Sequence, residues 1–289
     1  MKTVLVTGGA GFVGTHLCQR LFNLGYKVIS LDNYFTGSVD NHIQGVEYRS
    51  GHTKEVKQYV PEQIDVIFHL GEYSRVEQSL QEPALVWDLN IAGTFGVLEF
   101  WRDQNSSTHT CKLIYAGSST KFGDDGRARE ATPYAWTKAV NTELVCNYAD
   151  WYSLPFVITY FYNVYGPGER TGKYGTVIAI FKDRYLRKLP LQVTSPGTQI
   201  RNFTHVSDIV DGLILVADKG VGDGYGLGNE KGYSVVEVAK MFGAPIEMTP
   251  QKPGNRQSSG IDLSKAVALG WRAKKSLEDE IKNFIVEVK

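Results

Sequence analysis

Residues 3 to 25 read TVLVTGGAGFVGTHLCQRLFNLG, a β-branched run, a glycine-rich turn and an amphipathic helix pattern in direct succession. That order constrains the fold more than any other feature of the chain. Glycine allows the tight turn and the close approach of a phosphate, and the helix start offers unsatisfied N–H groups and a partial positive charge. The residues expected to frame such a site are Gly8, Gly11, Phe12, Val13 and Gly14.

The second β-branched run, KVISLDN, ends in Asp32 and Asn33, about 20 residues beyond the glycines, where a carboxylate can hydrogen-bond a ribose 2′-OH. A carboxylate there repels a 2′-phosphate, so the pattern favours NAD over NADP. Capping of the following turn is the alternative role for Asp32. A fourth run, DVIFHLG, ends in His69, read as a buried and hydrogen-bonded histidine, with Leu70 and Gly71 offering backbone to the cofactor.

Further along, KLIYAGSS (112 to 119) and FVITYFYNVYG (156 to 166) alternate with helical patterns near 83 to 102 and 134 to 152. Strands this apolar are buried on both faces, which predicts an α/β fold with a doubly wound parallel sheet, the Rossmann arrangement. After Gly166-Pro167-Gly168 the texture becomes richer in Gly, Pro and short mixed elements. The expected organisation is a dinucleotide-binding domain over 1–168 and a smaller α/β substrate region over 169–289. Residues 201–219 are placed to pack back on the first domain.

Composition excludes several classes. The chain carries 31 basic and 31 acidic residues, so no charge excess points to nucleic acid. Its three cysteines, Cys18, Cys111 and Cys146, are scattered and lack any C-x-x-C spacing, as expected of reduced cytoplasmic thiols. The histidines show no metal-ligand spacing, so no metal is expected. Neither a secretory leader nor an apolar stretch long enough for a membrane is read from the sequence.

The fifth run opens into Ser118, Ser119 and Thr120, and PYAWTKA follows at a helix start with Tyr134 and Lys138 four residues apart on one face. A tyrosine acting as a base near neutral pH must ionise about three units below its reference value, and a nearby ammonium has the right sign to help. The Y-x-x-x-K spacing alone is common, but after a glycine-loop site and a serine-rich strand end it is far more specific.

With TGGAGFVG, LDNYFTG, HLGEYSRVEQS, LNIAGT, YAGSSTKFG, PYAWTKA, YNVYGPGE, RNFTHVSDIVDG and PGNRQSSGIDLSKAVALGW, the chain resembles the extended short-chain dehydrogenases/reductases, the NAD-dependent nucleotide-sugar epimerase/dehydratase family. The resemblance implies a catalytic Ser118, Tyr134 and Lys138. It implies cofactor contacts at Gly8, Gly11, Phe12, Val13, Gly14, Asp32, Asn33, Leu70, Gly71, Asn90 and Tyr162. Substrate contacts are implied at Ser119, Thr120, Asn163, Val177, Arg201 and Arg256. It also implies a homodimer joined through the helices near 83 to 102 and 134 to 152, whose apolar residues include Leu85, Leu89, Val140 and Leu144.

Departures from the family pattern narrow the reaction. The Asp-Glu pair of family dehydratases is replaced by Ser119 and Thr120, and the decarboxylase Glu by Thr120, so a redox cycle without an eliminating acid is favoured. That reads as an epimerase acting at C4 of a nucleotide-diphosphate sugar through a transient ketone. A dehydratase, a decarboxylase and a keto-sugar reductase stay open, as does a non-catalytic NAD sensor. Gly71-Glu72 stands where the family has two small residues, and Glu72 is expected either to accept sugar hydroxyls or to cap a turn. His52 stands where the family has an Asp near adenine, and Asn202 where it has an Asp after Arg201.

Overall fold

The computed structural model describes residues 1–251 and 260–288. Six parallel strands, β1 (Thr3–Thr7), β2 (Lys27–Asp32), β3 (Glu47–Ser50), β4 (Val66–His69), β5 (Lys112–Ser118) and β6 (Phe156–Phe161), form a sheet with a seventh, Gly222–Leu227, at the β6 edge. From that edge the order is β6, β5, β4, β1, β2, β3. The winding direction reverses between β1 and β4, which pair from Val4 with Val66 to Thr7 with His69. A crevice opens at the carboxyl ends of strands that diverge in this way.

The apolar runs are apolar because both faces are covered. Along β5, Leu113 and Tyr115 enter one core, while Ile114 enters the other. The first core lies under the Gly93–Asp103 and Pro133–Tyr152 helices, with Trp101 fully buried and its indole N–H donated to Cys111 O at 3.0 Å. Helices Phe12–Asn23 and Val206–Lys219 cover the second.

The helix expected near 83 to 102 is one continuous rod from Pro83 to Asp103, with a π-helical segment at Trp87–Ala92. A third core, centred on Tyr165, Phe181, Phe203, Tyr233 and Phe242, builds the smaller region. Its helices carry the caps their sequences announce: Ser234 and Glu237 form a reciprocal capping box, and Ser276 accepts Asp279 N at 3.2 Å.

The chain does not divide once at residue 168. The seventh strand, Gly222–Leu227, and the Ser264–Ala268 helix packed on it belong to the sheet layer, beside Val206–Lys219. The sequence shows no strand signal over GDGYGLGNEKGYS, only short mixed elements, because three glycines in six residues carry little strand propensity. The close pass of Asp262 explains one of them: a Cβ on Gly226 would lie 2.0 Å from Asp262 O.

Candidate active site

The glycine turn fills the floor of the crevice with backbone alone. Gly8 takes φ +73°, and a Cβ there would meet Gly71 Cα at 2.9 Å, so the ends of β1 and β4 close on each other through two glycines. A Cβ on Gly14 would fall 2.1 Å from Gly8 O, which makes glycine obligatory where the first helical turn lies against the loop. Gly11 is the N-cap of Phe12–Asn23 and no side chain caps it, so the first-turn N–H groups are open to a ligand's phosphate oxygens.

Asp32 is buried at the end of β2, its two oxygens accepting Ala10 N at 3.0 Å and Tyr34 N at 2.8 Å. Burial raises its pKa, and those N–H donors work against the rise. Each oxygen keeps a lone pair for a ribose hydroxyl. Asn33 Oδ1 accepts Phe35 N at 3.0 Å. The N–H groups of Leu70 and Gly71 go to Thr7 Oγ1, at 3.2 and 3.0 Å, so these residues give the crevice surface rather than donors.

The groups expected to react come from β5 and the long helix behind it. Pro133 occupies the first helical turn and the Thr132 hydroxyl accepts Ala135 N at 3.2 Å, which fixes where the helix starts and so where Tyr134 points. Tyr134 Oη donates to Ser118 Oγ at 3.1 Å, and Thr120 Oγ1 reaches the same oxygen at 2.9 Å. One turn on, buried Lys138 bonds Ala116 O and Glu72, with its Nζ 4.6 Å from the centre of the Tyr115 ring.

Behind this centre runs a chain of hydrogen bonds. Thr7 Oγ1 sits 2.7 Å from His69 Nδ1, His69 Nε2 sits 3.0 Å from Thr94 Oγ1, and Thr94 Oγ1 donates to Glu72 at 2.9 Å. Because Thr7 Oγ1 already accepts two backbone N–H groups, it donates to Nδ1, and Nε2 carries the imidazole proton. Burial lowers the His69 pKa to about 4. The histidine is therefore the buried, hydrogen-bonded group expected. Glu72 lines the cleft, but its carboxylate is paired with Lys138, a partner invisible in sequence because 66 residues separate the two.

Gly8, Gly11, Phe12, Val13, Gly14, Asp32, Asn33, Leu70, Gly71, Ser118, Ser119, Thr120, Tyr134, Lys138, Asn163, Val177 and Arg201 all line one cleft of about 970 Å³. Asn90 and Tyr162 stand behind its wall. Asn90 accepts Tyr73 N at 2.7 Å and donates to Thr137 Oγ1 at 2.9 Å, while Tyr162 Oη donates to Gly260 O at 3.2 Å. Arg256 lies outside the described residues.

On the far wall, Asn163 takes φ +30° and its buried Oδ1 has no hydrogen-bond partner among the described residues. Gln199 Oε1, on the same cleft, is in the same condition. A buried orphan acceptor calls for a donor beyond the described residues. Sequence reading missed Gln199, although its place two residues before Arg201 was a usable signal. It also missed Arg75, which lines the cleft and is held by Tyr174 O at 2.6 Å. His52 bonds Asp88 at 3.0 Å.

A family model described as the NAD dependent epimerase/dehydratase family matches residues 4–228. The chain belongs to this family. It is 32% identical to a UDP-N-acetyl-alpha-D-glucosaminuronate decarboxylase of Bacillus cytotoxicus, over 83% of this chain and 78% of that one. Among solved structures it is similar to a UDP-glucose 4-epimerase of Thermotoga maritima with UDP-glucose, with a TM-score of 0.89, 27% identity and coverage of 98% and 97%. A UDP-glucose 4-epimerase of Thermus thermophilus in complex with NAD gives a TM-score of 0.86 at 27% identity, covering 99% of this chain and 98% of that one.

NAD is thus the cofactor, and the side-chain-free turn with Asp32 opposite it fits a dinucleotide. Epimerases and decarboxylases both stand among the similar proteins, so membership fixes a nucleotide-sugar enzyme and leaves the reaction to the site. Among the described residues no helix is long and apolar enough to cross a membrane, and no cluster of His, Cys, Asp or Glu is arranged to hold a metal.

Proposed function

We propose that this enzyme epimerises a nucleotide-diphosphate sugar at C4 through a transient ketone. The observation that carries the reading is the Tyr134 to Ser118 contact of 3.1 Å beside Lys138, at a strand end whose next residues are Ser119 and Thr120 rather than acids. Bound NAD supplies a reversible hydride acceptor. Tyr134 takes the proton from the C4 hydroxyl, Ser118 holds that oxygen, and Lys138 stabilises the phenolate. The oxygen then regains its proton from Tyr134 once the ring has presented its other face.

Elimination of water or carbon dioxide calls for a further acid or base near the sugar. Glu72 is unsuited to that work, because Lys138, Tyr115, Thr94 and Asn141 already hold its oxygens. Arg201 is assigned to the diphosphate, which a guanidinium fork suits, and Asn163 and Val177 to the nucleotide. The assigned cofactor contacts are the glycine turn, Asp32 and Asn33; Asn90 and Tyr162 act by shaping the wall.

A homodimer through the two long helices forms part of the same reading. Trp87, Phe95 and Trp136 stand exposed there, Trp87 and Trp136 stacked at 6.0 Å, while Leu89 is core. An exposed aromatic patch of this kind supports that reading. The three free thiols accord with a cytoplasmic enzyme. Incubation with UDP-, dTDP-, GDP- and CDP-hexoses, read by NMR of the sugar ring, tests the function. An isobaric C4 epimer supports it, and a lighter product refutes it.

A further inference from the structure

Lys138 meets a carboxylate before any ligand arrives. The Glu72 side chain is only 2% exposed and accepts from four donors on three elements. Its Oε2 takes the Lys138 ammonium, and its Oε1 takes Tyr115 Oη at 3.1 Å from β5, Thr94 Oγ1 at 2.9 Å and Asn141 Nδ2 at 2.8 Å. Thr94 lies on the Gly93–Asp103 helix, and Asn141 and Lys138 on Pro133–Tyr152. A carboxylate so fully met is built into the fold, and removing one member of a buried pair leaves the other charge stranded.

We propose that Glu72 is a positioning residue of the reacting centre, holding the Lys138 ammonium in place and balancing its charge, so that the pair rather than the lysine alone sets the pH range of turnover. This rests on the reading of Tyr134 as the proton-transfer group. The Glu72 charge has two opposite consequences. It attracts the Lys138 ammonium and repels negative charge on Tyr134, so its removal is expected to move both ends of the activity profile to lower pH.

The groups facing the pair are few. From β4 comes His69, which burial holds neutral above about pH 4, and from β5 comes Tyr115, whose phenol burial keeps protonated. Thr94 and Asn141, the remaining partners of the carboxylate, do not titrate. Burial alone would raise the Glu72 pKa, but Lys138, His69 and Asn141 hold it below the ordinary carboxylate range.

The test is the pH profile of kcat/KM for the unmodified enzyme and Glu72→Gln, on whichever nucleotide-sugar is turned over. Gln keeps the shape and removes the charge. Both limbs are expected to move to lower pH by about one unit or more. A folded, NAD-containing Glu72→Gln with unmoved limbs overturns the proposal, since a merely structural role would scale activity at every pH alike.

A thermal cycle reads the pair without turnover. Lys138→Met strands Glu72 and lowers the Tm, and adding Glu72→Gln returns most of the loss, whereas additive losses overturn the coupling. If the unmodified protein turns over no nucleotide-sugar, the functional reading fails and this one fails with it. Turnover with unshifted limbs sinks the Glu72 role alone.

Discussion

Tyr134 Oη lies 3.1 Å from Ser118 Oγ, joining a helix that starts at Pro133 to the last residue of β5. The contact is framed by the Thr132 cap at the helix start and by the end of β5. Replacing Tyr134 by Phe removes the proposed proton acceptor and leaves the ring in its cluster with Leu85 and Tyr174. The expected result is a fall in kcat of roughly a hundred- to ten-thousand-fold with NAD affinity and Tm nearly unchanged. Steady-state kinetics and thermal melts check it, and full turnover by Tyr134→Phe removes Tyr134 from the chemistry.

Asp32 places a buried carboxylate on the cleft at the end of β2, and it is proposed to accept from the cofactor ribose. Asp32→Ala is expected to weaken NAD binding by roughly ten- to a hundredfold, the worth of a hydrogen bond to a charged group, and to improve NADP binding. Titration calorimetry with both dinucleotides measures the ratio. An unchanged preference would leave Asp32 with only its hydrogen bonds to Ala10 and Tyr34.

His69 makes stability depend on acid. Its folded pKa of about 4 lies below the ordinary value of 6.5, so between those values the unfolded chain binds a proton the folded chain does not. Stability from this group is complete above about pH 6.5 and is lost as pH falls toward 4, by about 3 kcal/mol in all. Denaturant melts across that range should show the slope in the unmodified enzyme and a flatter one in His69→Gln. Equal slopes would mean other groups dominate acid unfolding.

Trp87 and Trp136 stack on the exposed side of the two long helices. Sedimentation should give twice the chain mass for the unmodified protein, and a monomer once both are replaced by Glu. A monomeric unmodified protein would return that patch to ordinary surface.

Strands β1, β2, β4, β5 and β6 were legible because each carries its own signal, an apolar run buried on both faces with helical patterns between, and glycines mark the first turn. The cleft was legible where the motif is local, as from Gly8 to Gly14 and from Tyr134 to Lys138. What stayed hidden depends on distant partners. Gly222–Leu227 is a strand only because β6 supplies its ladder, and its register shifts between Gly222 and Tyr225. Asn90 builds wall because Tyr73 and Thr137 converge on it, and Glu72 acquires its meaning from Lys138.

The central claim is a reaction at one carbon with nothing lost. A nucleotide-hexose carrying deuterium at C4, incubated with the unmodified enzyme and followed by NMR and mass spectrometry, tests it most directly. The account predicts an inverted C4 centre, an unchanged mass and deuterium still on that carbon. Loss of water or carbon dioxide, or exchange of the label into solvent, would contradict it.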